Sequence, residues 1–152
     1  MEGGNWIGDI MKVKFKRINS VIAHLPTYAH SGDGAIDIVA VSRTYNNDDG
    51  TIVYGTGLAA EIPEGYVGLL FPRSSIYKKD LVLSNSVGLI DSSFRGEMKF
   101  IFRFKHVDLP HYNIGDRIGQ LLILPYPTIE PEFVDELSST ERNTGGFGST
   151  GE

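Results

Sequence analysis

Met98-Lys99-Phe100-Ile101-Phe102-Arg103-Phe104 places an aromatic ring at every second position. Successive side chains of an extended strand point to opposite faces, so this stretch has one strongly apolar face. The same alternation continues outward. Around it, the strand pattern runs from Glu97 to Lys105. Downstream lies Arg117–Leu124. Upstream, Lys12–Ile18 sets Val13, Phe15 and Arg17 against Lys12, Lys14 and Lys16. Ile36–Val41, Thr51–Tyr54, Gly57–Ile62, Tyr66–Phe71, Leu81–Leu83 and Gly88–Ile90 complete the set of short apolar or β-branched runs. Pro63-Glu64-Gly65 is a turn signal between two of them. No segment of helix length keeps a 3.6-residue period. The 18 glycines and 7 prolines break the chain into many short strands. This pattern predicts an all-β fold: a sandwich, barrel or jelly roll without internal repeats.

The 152 residues suffice for one domain with a real core. Pro125-Tyr126-Pro127 ends the last core strand, so residues 1–127 read as the β core. Residues 128–152 read as a C-terminal arm: Thr128–Glu141 is acidic with few large apolar groups, and a glycine-rich tail follows. The 14 Lys+Arg against 19 Asp+Glu give a net charge of −5, which argues against a broad nucleic-acid surface. Such a chain still binds a small anion where a few arginines and a metal ion gather. The absence of cysteine excludes disulfides and thiolate metal sites. No apolar run reaches membrane-spanning length, and Met1–Asp9 lacks the pattern of a signal peptide. The expectation is a soluble protein, cytoplasmic or otherwise intracellular, with neither nucleic acid nor membrane as partner.

Five segments carry possible chemistry. In Gly34-Ala35-Ile36-Asp37-Ile38-Val39-Ala40 an acid interrupts an apolar strand, which calls for a salt bridge or a metal-bound water. Pro72-Arg73-Ser74-Ser75 ends a strand and can open a short helical turn whose free N–H groups face an anion; an ordinary Ser-capped turn has the same residues. Between Ser84 and Glu97, apolar runs flank Asn85-Ser86, as in a β-hairpin whose tip can read a base edge. Asp91 follows Leu89-Ile90, where burial would tune it as a base, and Phe94 comes three residues on. An isolated turn aspartate would look the same. Gly115-Asp116-Arg117-Ile118-Gly119-Gln120 makes a turn into a strand and offers a side-chain amide. Last, Arg142-Asn143-Thr144-Gly145-Gly146-Phe147-Gly148-Ser149-Thr150-Gly151 combines an arginine fork, hydroxyls, close-approaching backbone and one flat ring. That set suits the wrapping of a nucleoside phosphate, although a flexible Gly/Ser terminus has the same composition. The four histidines, at 24, 30, 106 and 111, have no ligand spacing.

Taken in order, these five segments resemble the five motifs of the trimeric deoxyuridine triphosphatases (dUTPases), and their span covers most of the chain. The resemblance implies a jelly-roll homotrimer that hydrolyses dUTP to dUMP and pyrophosphate with Mg2+, at three sites shared between subunits. Carried over by residue, it implies that Asp91 activates the water and that Asn85 and Gly88 recognise uracil. Phe94 packs on deoxyribose and excludes a 2′-hydroxyl. Arg73, Ser74, Ser75 and Gln120 hold phosphates, and Asp37 contacts the Mg2+ shell through water. Arg142, Gly146, Phe147, Gly148, Ser149 and Thr150 form the closing arm, with Phe147 stacked on the base. Two positions depart from the family pattern. Phe94 stands where tyrosine is usual, which keeps the ring face and loses a hydroxyl. Gly34-Ala35 stands where Ala-Gly is usual and leaves Asp37 in register.

A dCTP deaminase-like enzyme is the nearest rival, since that family shares the fold and resembles this chain around Arg73-Ser74-Ser75 and Asp91. It needs a catalytic Glu near the position of Ile101 and lacks a tail like Gly145–Gly151. A non-catalytic nucleotide-binding homologue is the other alternative; here every position expected to act chemically is intact.

Overall fold

Phe100 and Phe102 are fully buried while Lys99, Ile101 and Arg103 face outward, so the aromatic alternation is a strand with one face in the core. The computed structural model describes residues 10–18 and 22–148. Its strands are β1 (Lys14–Arg17), β2 (Ile36–Val39), β3 (Ser42–Asn46), β4 (Thr51–Gly55), β5 (Leu58–Glu61), β6 (Tyr66–Phe71), β7 (Val82–Leu83), β8 (Gly88–Ile90), β9 (Lys99–Arg103) and β10 (Arg117–Pro125). A single 3-10 turn, Ser74–Lys78, is the one helical element among the described residues. The chain is all-β.

Two four-stranded antiparallel sheets, ordered β2-β10-β6-β8 and β3-β4-β9-β7, enclose the core, and β1 pairs with β5 beside them. From β6 onward each successive strand lies in the opposite sheet, which is jelly-roll behaviour rather than that of a meander. Ile38, Leu70, Ile118 and Leu121 from one sheet meet Ile52, Tyr54, Phe100 and Phe102 from the other. Burying each of these large side chains contributes about 1.5–3 kcal/mol. The rings of Tyr54 and Phe102 meet edge to face at 5.8 Å. The buried Tyr54 hydroxyl donates to the Tyr112 carbonyl at 2.9 Å. Burial pushes the Tyr54 pKa up to about 12, so it remains a donor.

Two elements differ from the sequence expectation. β3, Ser42-Arg43-Thr44-Tyr45-Asn46, carries no apolar alternation, because four of its five residues are exposed on a sheet edge. Its ladder with β4, from Ser42↔Gly55 to Asn46↔Thr51, makes it a strand. The expected hairpin at Asn85-Ser86 is instead a corner between sheets: β7 pairs with β9, and β8 pairs with β6. Its tip is tight, with the Ser86 N–H donating to the Leu83 carbonyl at 3.1 Å and Ser86 at φ 61°. A polar pair between apolar runs is written alike for a hairpin and for such a corner.

Candidate active site

Strand register brings three distant segments side by side. Across β2, β10 and β6, Asp37 stands opposite Gln120, and Gln120 opposite Phe71. In the next row Ile36, Leu121, Leu70 and Gly88 follow one another across all four strands. Pro72 stops the ladder after Phe71, and its carbonyl accepts from Gln120 Nε2 at 3.1 Å. The 3-10 turn follows, with the Ile76 N–H donating to the Arg73 carbonyl at 3.0 Å. Arg73 is its N-cap, so neither serine caps it, and no side-chain cap bond is made.

Beside this turn lies a polar cavity of about 440 Å³ lined by Arg73, Ser75, Lys78, Lys79, Tyr112, Gly115, Asp116 and Arg117. Its lining carries four cations and one carboxylate, with Arg117 paired to Asp37, so the cavity is net positive within an acidic protein. Its far wall is fixed to the residue that follows β2: the Gly115 N–H donates to the Ala40 carbonyl at 2.8 Å, and the Ala40 N–H to the Asp116 carbonyl at 3.0 Å. Gly115 sits at φ 94°, where a side chain would strain the backbone. The Asp116 carboxylate is held by the Asn113 N–H at 2.8 Å.

Asp37, the acid inside the apolar strand, has its partner: Arg117 Nη1 donates to its Oδ2 at 2.9 Å. No group of three His, Asp or Glu side chains stands ready for a metal among the described residues. A single carboxylate offers no closed cage. It fits Mg2+, which keeps several waters and takes phosphate oxygens alongside one or two carboxylates.

The Asn85–Phe94 segment is built differently. Gly88 is buried against Leu70, where an added Cβ would stand 3.1 Å from the Leu70 Cβ. Asn85 is exposed, and its carbonyl accepts from the Val87 N–H at 2.6 Å. Asp91 is exposed as well, which corrects the expectation that the preceding Leu89-Ile90 would bury it. The alternation that buries Ile90 turns the following residue outward, into a turn closed by the Phe94 N–H on the Asp91 carbonyl at 3.1 Å. The Phe94 ring folds over Gly96, where a Cβ would come within 2.6 Å of it. Asp91 also lies past the Gly68↔Ile90 rung, away from the Gln120 row, and it does not line the Arg73 cavity.

The tail stands apart from both groups. Arg142 Nε donates to the Gly145 carbonyl at 2.7 Å, Phe147 is fully exposed, and an added Cβ at Gly146 or Gly148 would meet open space. Ser149 and Thr150 lie outside the described residues. One chain therefore gathers Asp37, Arg73, Ser74, Ser75 and Gln120 around one sheet end. It holds Asn85, Gly88, Asp91 and Phe94 along the corner and β8, and it leaves Arg142 to Gly148 undocked.

The sequence pattern of the dUTPase family matches residues 22–151. This chain belongs to the dUTPase family. It is 38% identical over 151 residues to a deoxyuridine 5'-triphosphate nucleotidohydrolase of Hydrogenobaculum sp., covering 93% of this chain and 99% of that protein. Another, from Picosynechococcus sp., is 39% identical over 131 residues, with 85% and 92% covered. Among solved structures, the dUTPase of Staphylococcus bacteriophage 80alpha with dUPNHPP superposes with a TM-score of 0.76 at 28% identity, covering 93% of this chain and 99% of that one. An Asp-to-Asn variant of the phage phi11 dUTPase, described for its coordination of a structural Mg(II) ion, gives 0.68 at 26% identity, with 83% and 98% covered.

Read as a dUTPase, the chain shows features that the motifs did not announce. Lys78, Lys79 and Tyr112 line the cation-rich cavity although they lie outside all five segments. Lys78 had a local signal, being a basic residue in the last turn of a helical element. Tyr112 had none, because its position depends on the fold bringing the 112–117 turn against Arg73. Gly96 sets the attitude of the Phe94 ring, and only the close approach reveals it.

Proposed function

We propose that this chain hydrolyses dUTP to dUMP and pyrophosphate. The observation that carries the reading is the meeting of Asp37, Gln120 and the Arg73–Ser75 turn at one sheet end beside a cavity lined by four cations. The substrate brings ~4 negative charges, and fixed donors in such a cavity stabilise them without reorganising. Arg73, Ser74, Ser75 and Gln120 hold the phosphates. Asn85 and Gly88 read the uracil edge at the corner, and Phe94 packs on the deoxyribose. Asp91 takes a proton from the attacking water, whose oxygen bonds to the α-phosphorus in line as the bond to the bridging oxygen breaks and pyrophosphate leaves. Mg2+, when bound, neutralises triphosphate charge; Asp37 would hold it through water.

The site is shared between subunits of a homotrimer. Asp91 and Phe94 stand away from the phosphate cavity of their own chain, and the tail touches neither. Ile129, Phe133 and Leu137 on the acidic segment after β10 are exposed, as apolar anchors awaiting a neighbouring surface would be. Residues 128–152 then form an arm whose Arg142, Gly146, Phe147, Gly148, Ser149 and Thr150 close over a nucleotide. A deaminase reading fails at β9, where the position requiring a catalytic acid is the outward-facing Ile101.

A pyrophosphate-release assay with dUTP and dCTP tests the proposal. Release from dUTP and not from dCTP is expected. Ammonia release from dCTP would favour a deaminase, and nucleotide binding without turnover a non-catalytic homologue.

A further inference from the structure

Tyr112 is 3% exposed, yet its hydroxyl is buried without a hydrogen-bond partner among the described residues. An unpaired buried hydroxyl is costly, and phenylalanine would fill the same space without that cost. The rest of the residue is firmly held. Its carbonyl accepts from Tyr54 Oη and from Arg43 Nη1, both at 2.9 Å. Its ring lies edge-on to Tyr54 at 6.1 Å, with Lys79 Nζ 5.2 Å from the ring centre. Backbone and ring thus hold the residue against the polar cavity that Arg73 and Ser75 also line. Ser75 lines the same cavity, and no hydrogen bond closes on the Tyr112 hydroxyl among the described residues. Burial holds the phenol above its ordinary pKa, outweighing Arg73 and Ser75, which favour the anion. The group therefore stays a donor at neutral pH.

We infer that Tyr112 is a positioning residue for Ser75: its hydroxyl donates to Ser75 Oγ when a phosphate enters the cavity, leaving the serine proton for a phosphate oxygen. A serine hydroxyl can donate or accept, and its rotor is free. A fixed donor at its oxygen makes it a donor toward the anion. The inference rests on the proposed phosphate-binding role of the Arg73–Ser75 turn and adds a residue outside the five motifs.

The test uses four full-length proteins: wild type, Tyr112→Phe, Ser75→Ala and the double variant. Each is titrated with inorganic pyrophosphate and with deoxyuridine, and each is melted. Tyr112→Phe should bind pyrophosphate ~3–10-fold more weakly, the weight of one neutral hydrogen bond. Deoxyuridine binding should hold, Tm should stay level or rise as the unpaired hydroxyl is removed, and in the Ser75→Ala background the Tyr112→Phe effect on pyrophosphate should vanish. With dUTP the change should fall on KM more than on kcat. Unchanged pyrophosphate affinity in Tyr112→Phe, no pyrophosphate binding by wild type, or an equal loss in the Ser75→Ala background would overturn the inference. So would a lowered Tm without an affinity change, which would give the hydroxyl a purely structural role. Failure of the wild type to turn over dUTP, with the pyrophosphate pattern intact, would count against the proposed function alone.

Discussion

Asp91 and Phe94 sit three residues apart on one exposed turn, so their roles can be separated by single substitutions. Asp91→Asn keeps shape and turn geometry and removes the proposed base. Turnover of dUTP should fall by at least ~100-fold with nucleotide binding retained; near-normal turnover would remove Asp91 from the chemistry. Phe94→Ala should raise the efficiency of UTP relative to dUTP while leaving the preference over dCTP in place, given the proposed roles of the ring at the sugar and of the corner backbone at the base. An unchanged UTP-to-dUTP ratio would end the sugar-gate role. His111 sets a pH limit on stability. Burial lowers its pKa below the ordinary 6.5, Arg43 and Lys79 push the same way, and Asp80 and a backbone bond with His106 oppose them. Its Nδ1 pairs with the Tyr45 hydroxyl at 3.0 Å. Above its ordinary pKa the ring is neutral in both folded and unfolded chains. As pH falls through that value the unfolded chain takes the proton first, so stability drops. Tm should therefore fall between about pH 7.5 and about pH 5, and less steeply in His111→Gln. Equal slopes would clear His111 of this role.

At the scale of elements, β6 and β10 do most to position the site. They align Phe71 with Gln120, so the turn after one strand meets a side chain within the other. The corner between β7 and β8 spans both sheets and is therefore fixed from two sides, which suits its proposed role in reading the base. The segment after β10 is the opposite case: no strand forms there among the described residues, and its apolar side chains stay exposed. Deleting residues 144–152 should thus leave Tm within a degree or two of wild type, since none of its described residues belongs to the core. Turnover should collapse, since the arm proposed to close over the nucleotide is lost. A truncated protein of full activity would refute the closing role.

For the whole molecule, one copy holds three parts separately: a cation-lined cavity, the Asp91–Phe94 turn and the exposed Phe147 of the tail. Mixing Asp91→Asn subunits with subunits lacking 144–152 tests whether the parts come from different chains. Some mixed trimers would then contain one intact site, and activity should return once exchange is complete; none returning after proven exchange would place each site within one chain. The sequence by itself determined the strands with strong alternation. The aromatic run around Phe100 and the apolar Tyr66–Phe71 are legible because burial on one or both faces leaves a local pattern. The motif residues and the interrupting Asp37 were legible for the complementary reason: chemistry places unusual groups where a core would not. Tertiary structure alone decided that β3 is a strand, that the Asn85 turn is a corner, that Asp37 pairs with Arg117, and that Tyr112 lines one cavity with Ser75. Each of these depends on residues far apart in the chain being brought into register by ladders and packing, and no local window carries that information.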